Sequence, residues 1–124
     1  MPADKNAPLV LQGALAEQYD VISADGAVTQ RSGVLFVTKS SACAMTIANP
    51  VSGDPMAGGD DGKRLTIVST TAQAHTLTRS TTGFNDGGSG ADVATFGGAK
   101  GDGLTIVAYG GKWYIESKIN VTTG

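Results

Sequence analysis

From Tyr19 onward the chain is a succession of short runs in which apolar and polar residues alternate, broken by Gly, Pro, Asn and Asp. Strict alternation over a few residues is the period of a β-strand with one buried face. Leu65-Thr66-Ile67-Val68-Ser69 is the plainest case, with Leu65 and Ile67 on one face and Thr66 on the other. The same reading predicts strands over residues 19–23, 27–30, 34–38, 44–48, 75–79, 93–96, 104–109 and 112–116. Asp25-Gly26 reads as a tight hairpin turn between the first two strands, and Thr71 to Gln73 as a turn that folds residues 75–79 back on the strand before it. Gly110-Gly111 is the clearest two-residue hairpin signal in the chain. Residues 51–62 and 82–92 are rich in Gly, Asp and Asn and read as exposed loops.

No segment shows a helical period, and a parallel sheet ordinarily needs helical crossovers. The pattern therefore predicts an all-β fold, a small antiparallel β-sandwich or barrel-like module. Thr-Ile recurs in Met45-Thr46-Ile47, Leu65-Thr66-Ile67 and Leu104-Thr105-Ile106, the last two preceded by Asp61-Gly62 and Asp102-Gly103. Strands of this composition entered from Asp-Gly turns arise independently, so the recurrence is weak as a repeat. Residues 1–17 differ: two prolines, several alanines and no alternation, with Leu9-Val10-Leu11 as the one apolar patch. They read as an extended N-terminal arm ahead of a β-rich domain at 18–124.

Composition narrows the possibilities. A length of 124 residues suits one domain, and 40% apolar against 16% charged residues is enough to build a core. A net charge of −2 with no Lys/Arg cluster leaves the counterion-release drive for nucleic-acid binding without a source. No apolar run approaches the length of a membrane span or the hydrophobic centre of a signal peptide, which predicts synthesis in the cytoplasm and no membrane partner. Cys43 has no second cysteine to pair with and, within Ala42-Cys43-Ala44-Met45, reads as a small buried hydrophobe.

Candidate chemistry is sparse. The lone histidine, His75, sits in a Thr-rich strand pattern, as a surface or internally satisfied residue rather than a base. One His and one Cys cannot assemble a zinc site. Asp60, Asp61, Asp86 and Asp92 lie in Gly-rich loops that read as solvated, and the stretch 85–92 lacks the closing bidentate Glu of a calcium loop. Trp113 and Tyr114 are adjacent on a strand, so they face opposite ways and do not form one aromatic platform. The expectation is a non-enzymatic protein with no catalytic residue, metal or cofactor.

The runs 21–28, 44–50, 61–77 and 111–114, from Val21-Ile22-Ser23-Ala24-Asp25-Gly26 to Gly111-Lys112-Trp113-Tyr114, make most of the chain resemble small β-rich virion proteins of tailed bacteriophages. The resemblance rests on strand-and-turn patterns and carries no active site. It implies a capsid decoration (cement) protein, a homotrimer on the outer shell that contacts the major capsid protein and stabilises the head. It is also compatible with a tail-fibre or spike module that binds a cell-surface glycan. On this expectation Leu9, Val10 and Leu11 of the arm are the capsid-docking residues, because such a patch gains buried area only on docking.

Overall fold

In the computed structural model the described residues are 18–79 and 81–124. The arm, with Leu9, Val10 and Leu11, lies outside them. Ten strands form among the described residues: β1 (Tyr19–Ile22), β2 (Gly26–Val28), β3 (Gly33–Val37), β4 (Ala44–Ile47), β5 (Arg64–Ser69), β6 (Thr76–Thr78), β7 (Val93–Phe96), β8 (Gly103–Tyr109), β9 (Lys112–Ile119) and β10 (Val121–Thr123). The first nine fall on the alternating runs of the sequence. The tenth follows because β9 continues beyond Glu116 and Asn120, in the left-handed region at φ 53°, turns the chain into one more short strand.

The strands form two open five-stranded sheets, β9-β8-β5-β3-β1 and β10-β7-β6-β4-β2, around one core. The chain is thus all-β with two layers, as its alternation predicts, but the pairing is mixed rather than antiparallel and neither sheet closes into a barrel. β1, β3 and β5 are parallel neighbours in sheet one, and β2, β4 and β6 are parallel neighbours in sheet two. From β1 to β6 odd strands lie in one sheet and even strands in the other, so the strand in the opposite sheet serves as the crossover that a helix provides elsewhere. That is why Asp25-Gly26 is a corner between sheets and not a hairpin, and why Thr71 to Gln73 leads away from β5 instead of folding back on it. At the first corner the Asp25 carboxylate accepts hydrogen bonds from Ala44 N (3.0 Å) and Lys39 Nζ (2.7 Å), which ties one coil to the next.

The coil reverses once. After β6 the chain stays in sheet two and returns antiparallel as β7; β8 then runs back beside β5, and β9 and β10 line the far edge of each sheet. The reversing loop contains two short 3₁₀ turns (Phe84–Asp86 and Gly88–Ala91) and is anchored by Phe84, which is fully buried. Gly110 and Gly111 form the hairpin expected between β8 and β9: both have positive φ (61° and 79°), as a two-residue turn that follows strand twist requires. The recurrent Leu-Thr-Ile triplets of β5 and β8 lie opposite each other in the ladder, with Thr66 paired to Thr105 and their hydroxyls 2.9 Å apart. The inward faces of both sheets supply Val37, Met45, Leu65, Ile67, Leu77, Phe96 and Ile106 to the core.

Candidate functional site

The groups with reactive potential are spent on structure. His75 is fully buried. Its Nδ1 accepts from Cys43 N (3.0 Å), which places the proton on Nε2; Nε2 then donates to Thr71 Oγ1 (3.0 Å), whose own hydrogen goes to Lys39 O (2.9 Å). The ring also meets Phe96 edge to face, with centroids 5.9 Å apart. Burial pushes the imidazole below its ordinary pKa, with Lys39 adding to the effect. Cys43 is buried too, its Sγ directed at Ala24 O (3.4 Å), and burial pushes the thiol upward. Neither residue faces solvent, so neither offers a nucleophile or base to a substrate.

The acidic loop residues do not gather. Asp60 is buried, contrary to the solvated setting its Gly-rich loop suggests: it accepts from Val51 N (2.7 Å) and Lys63 Nζ (2.9 Å), and Arg31 Nε lies 3.8 Å away. The Val51 amide, foremost, holds its carboxyl below the usual range. Asp61 accepts from Gly110 N, Asp86 pairs with Lys112 at 3.0 Å, and the backbone carbonyl of Asp92 accepts from Arg79 N. Asp102, which the pattern of acids did not single out, is buried under amides of Gly98 and Ala99 and the side chain of Asn120. The Ala99 amide is the main reason its carboxyl stays low. Among the described residues no group of three or more His, Cys, Asp or Glu is placed to hold a metal ion. No described helix is long and apolar enough to cross a membrane.

Arg79 is the least expected buried group. The residue is 1% exposed, and its guanidinium forms no ion pair among the described residues. Nη1 donates to Thr81 O, Thr82 Oγ1 and Gly83 O, and Nη2 to Gly111 O at 3.2 Å. The residues it grips begin the reversing loop, where Thr82, Asn85 and Asp86 all hold positive φ. A planar fork with several donors suits this collection of carbonyls better than an ammonium does. Burial lowers its pKa, and the Asp86 charge opposes that shift.

What the molecule offers outward is a sheet face. On the outside of sheet one, cross-strand pairing lines up Val21, Phe36, Val68, Gly103 and Ile119 in one row over all five strands. Val21 is 49% and Ile119 65% exposed, although both are aliphatic. Exposed Tyr19 packs edge to face on Phe36, with centroids 6.3 Å apart. Between Val68 and Ile119 in the row, Gly103 has no side chain, because a Cβ there would run into the carbonyl of Ile67. The result is a dimple of about 50 Å³ walled by Thr66, Val68, Thr105, Ser117 and Ile119. Arg64 of β5 and Glu116 of β9 form an exposed ion pair at 2.8 Å across the intervening β8. Trp113 is buried and donates from Nε1 to Ala48 O (3.0 Å), while Tyr114 lies on the outer face. The apolar row was invisible in the sequence because it consists of the "polar" positions of several strands, aligned only by register.

No family model, curated protein or solved structure matches the chain.

Proposed function

We propose that this protein is a structural component of a tailed-bacteriophage virion, a capsid decoration protein that binds the outer shell as a trimer and reinforces contacts between shell subunits. The observation that supports this reading best is the apolar row across the outer face of sheet one, combined with an interior in which His75, Cys43, Asp60 and Asp102 are all committed to internal bonds. Five strands about 4.8 Å apart make a face about 20 Å wide. An exposed apolar row of that length suits another protein surface and is the wrong shape to enclose a small molecule.

The test uses purified protein, undecorated capsids and two variants, Val21→Asp and Ile119→Asp, whose side chains point away from the core. Unaltered protein is expected to run as a trimer in light scattering and to sediment with capsids. Each variant is expected to keep its circular dichroism spectrum and to lose about tenfold or more in capsid affinity, since burying a charged group in place of an aliphatic one costs more than about 1.4 kcal/mol. Unchanged binding in both folded variants, or a free monomer that never sediments with capsids, would count against the proposal.

A further inference from the structure

The two ends of the coil are unlike. Among the described residues β1 pairs with β3 in unbroken register, whereas β9 shifts its register against β8 between Ile115 and Ser117. Ordinary alternation from Trp113 and Ile115, which pack on the core, would carry Ser117 and Ile119 inward as well. The extra residue, Glu116, turns both outward. The bend is pinned from the reversing loop, where the Asn85 side chain accepts from Ile115 N (2.8 Å) and Asp86 pairs with Lys112. Ser117 and Ile119 thereby wall the dimple at Gly103, which is a built socket: one wall is set by a bulge, and the floor is kept bare by the Ile67 carbonyl. A water-sized group needs about 10–15 Å³, so the dimple of about 50 Å³ admits about four such groups, the bulk of one unbranched side chain. An aromatic ring is too large for it.

The matching knob is on the same chain, at the other end of the strands. The socket lies where β5 ends and β8 begins, whereas residues 51–62 lead into the start of β5. In that loop Met56 is 97% exposed, on a turn that is fixed from several sides. The Asp54 carboxylate accepts from Met56 N (2.9 Å), the Asp54 carbonyl accepts from Ala57 N and Gly59 N, and Gly53 O accepts from Asp61 N. A rigid loop that holds one apolar side chain clear of its own surface loses little freedom when that side chain docks. Charge agrees with the match. Asp54 is exposed beside Met56, and the socket residues Gly101 and Ile119 are preceded in sequence by the exposed Lys100 and Lys118. Asp102, also nearby, is buried under internal donors, so the exposed charge around the socket is basic.

We propose that Met56 of one copy seats in the Gly103 socket of the next, with Asp54 drawn towards Lys100 and Lys118. Knob and socket lie at opposite ends of β5, so the contact is head to tail, and such a contact builds a ring when its rotation closes. Giving the ring three members rests on the trimer of the proposed function, and the contact names the surfaces that hold that trimer together. It engages the Ile119 end of the apolar row; Val21 and Phe36, at the other end, are left to meet the shell.

Sedimentation velocity on the purified full chain, without capsids and over a dilution series, tests the contact. Unaltered protein is expected to sediment as a trimer. Met56→Asp is expected to raise the dissociation constant about tenfold or more with an unchanged circular dichroism spectrum, and Met56→Leu to keep the trimer. Asp54→Asn, which retains the acceptor for Met56 N, is expected to weaken assembly about two- to fivefold and to flatten its dependence on salt. Met56→Cys combined with Ser117→Cys is expected to give covalent dimers and trimers in oxidised glutathione, and nothing larger. A folded Met56→Asp variant that assembles as the unaltered protein does, a cysteine pair that gives no covalent oligomer, or a ladder that runs on past three would overturn the inference. So would a monomer whose binding to capsids is lost on Met56→Asp, since the knob would then meet the shell and not a second copy. The proposed function fails differently, through a trimer that depends on Met56 and does not sediment with capsids, and that result leaves the ring standing.

Discussion

At the residue scale the buried polar groups set the conditions under which the molecule is stable. His75 is neutral in the fold with a pKa below 6.5, so below that pH the unfolded chain binds a proton that the folded chain refuses. Stability is therefore expected to be full above 6.5 and to fall as the pH drops through that value, with a slope of at most about 1.4 kcal/mol per pH unit from this one group. Asp60 and Asp102 act lower: their folded pKa values lie under 3.8, so the stability they give is present above that value and is lost as pH falls further. Urea midpoints measured from pH 8 to 4 should show the first step in the unaltered protein and not in His75→Asn; an identical profile for both would remove His75 from the account. Arg79 offers a second test. Arg79→Lys keeps the charge but cannot reach Thr81 O, Gly83 O and Gly111 O together, and leaving such groups unsatisfied is expected to cost about 2 kcal/mol or more. Thermal melting that matches the unaltered protein would show that the carbonyls find other donors.

At the scale of elements, local chemistry was legible and partnership was not. Alternation marks Leu65 to Ser69 as a strand whatever it pairs with, because burial of one face is a property of the strand itself. Gly110-Gly111 was also legible, since two consecutive residues with positive φ have few other uses between β-prone runs. Asp25-Gly26 was misleading because a short polar pair serves equally well as a hairpin turn and as a corner between sheets; only the Asp25 contacts to Lys39 and Ala44 in the following coil distinguish the two. Gly103 shows the same limit. In sequence it belongs to an Asp-Gly turn, yet in the fold it starts β8 against the Ile67 carbonyl. Gly103→Ala is accordingly expected to destabilise the protein by about 1–3 kcal/mol, from the displacement of β5 that a Cβ would force. Chemical denaturation measures this directly, and a neutral result would mean that β5 and β8 separate more easily than their pairing suggests.

At the scale of the whole molecule, the two-layer all-β architecture followed from the alternation, whereas the mixed pairing did not, because it depends on contacts between coils that are far apart in sequence: Gly33 pairs with Leu65 and Ala44 with Thr76. The candidate surface is subject to the same blindness, as Val21, Phe36, Val68 and Ile119 become neighbours only once four strand pairings are in place. The unlike ends of the coil bear on how the protein behaves at high density. Unlimited linear polymers built by edge pairing need two adhesive ends on every unit, and here one end carries the β9 irregularity with its Asn85 and Lys112–Asp86 contacts. Within sheet one, a copy that pairs through β1 therefore presents the irregular β9 edge on its other side, which resists a second pairing of the same kind. Edge-to-edge growth through sheet one is thus expected to stop at a pair, so copies can sit side by side at close quarters without extending that sheet into a fibril.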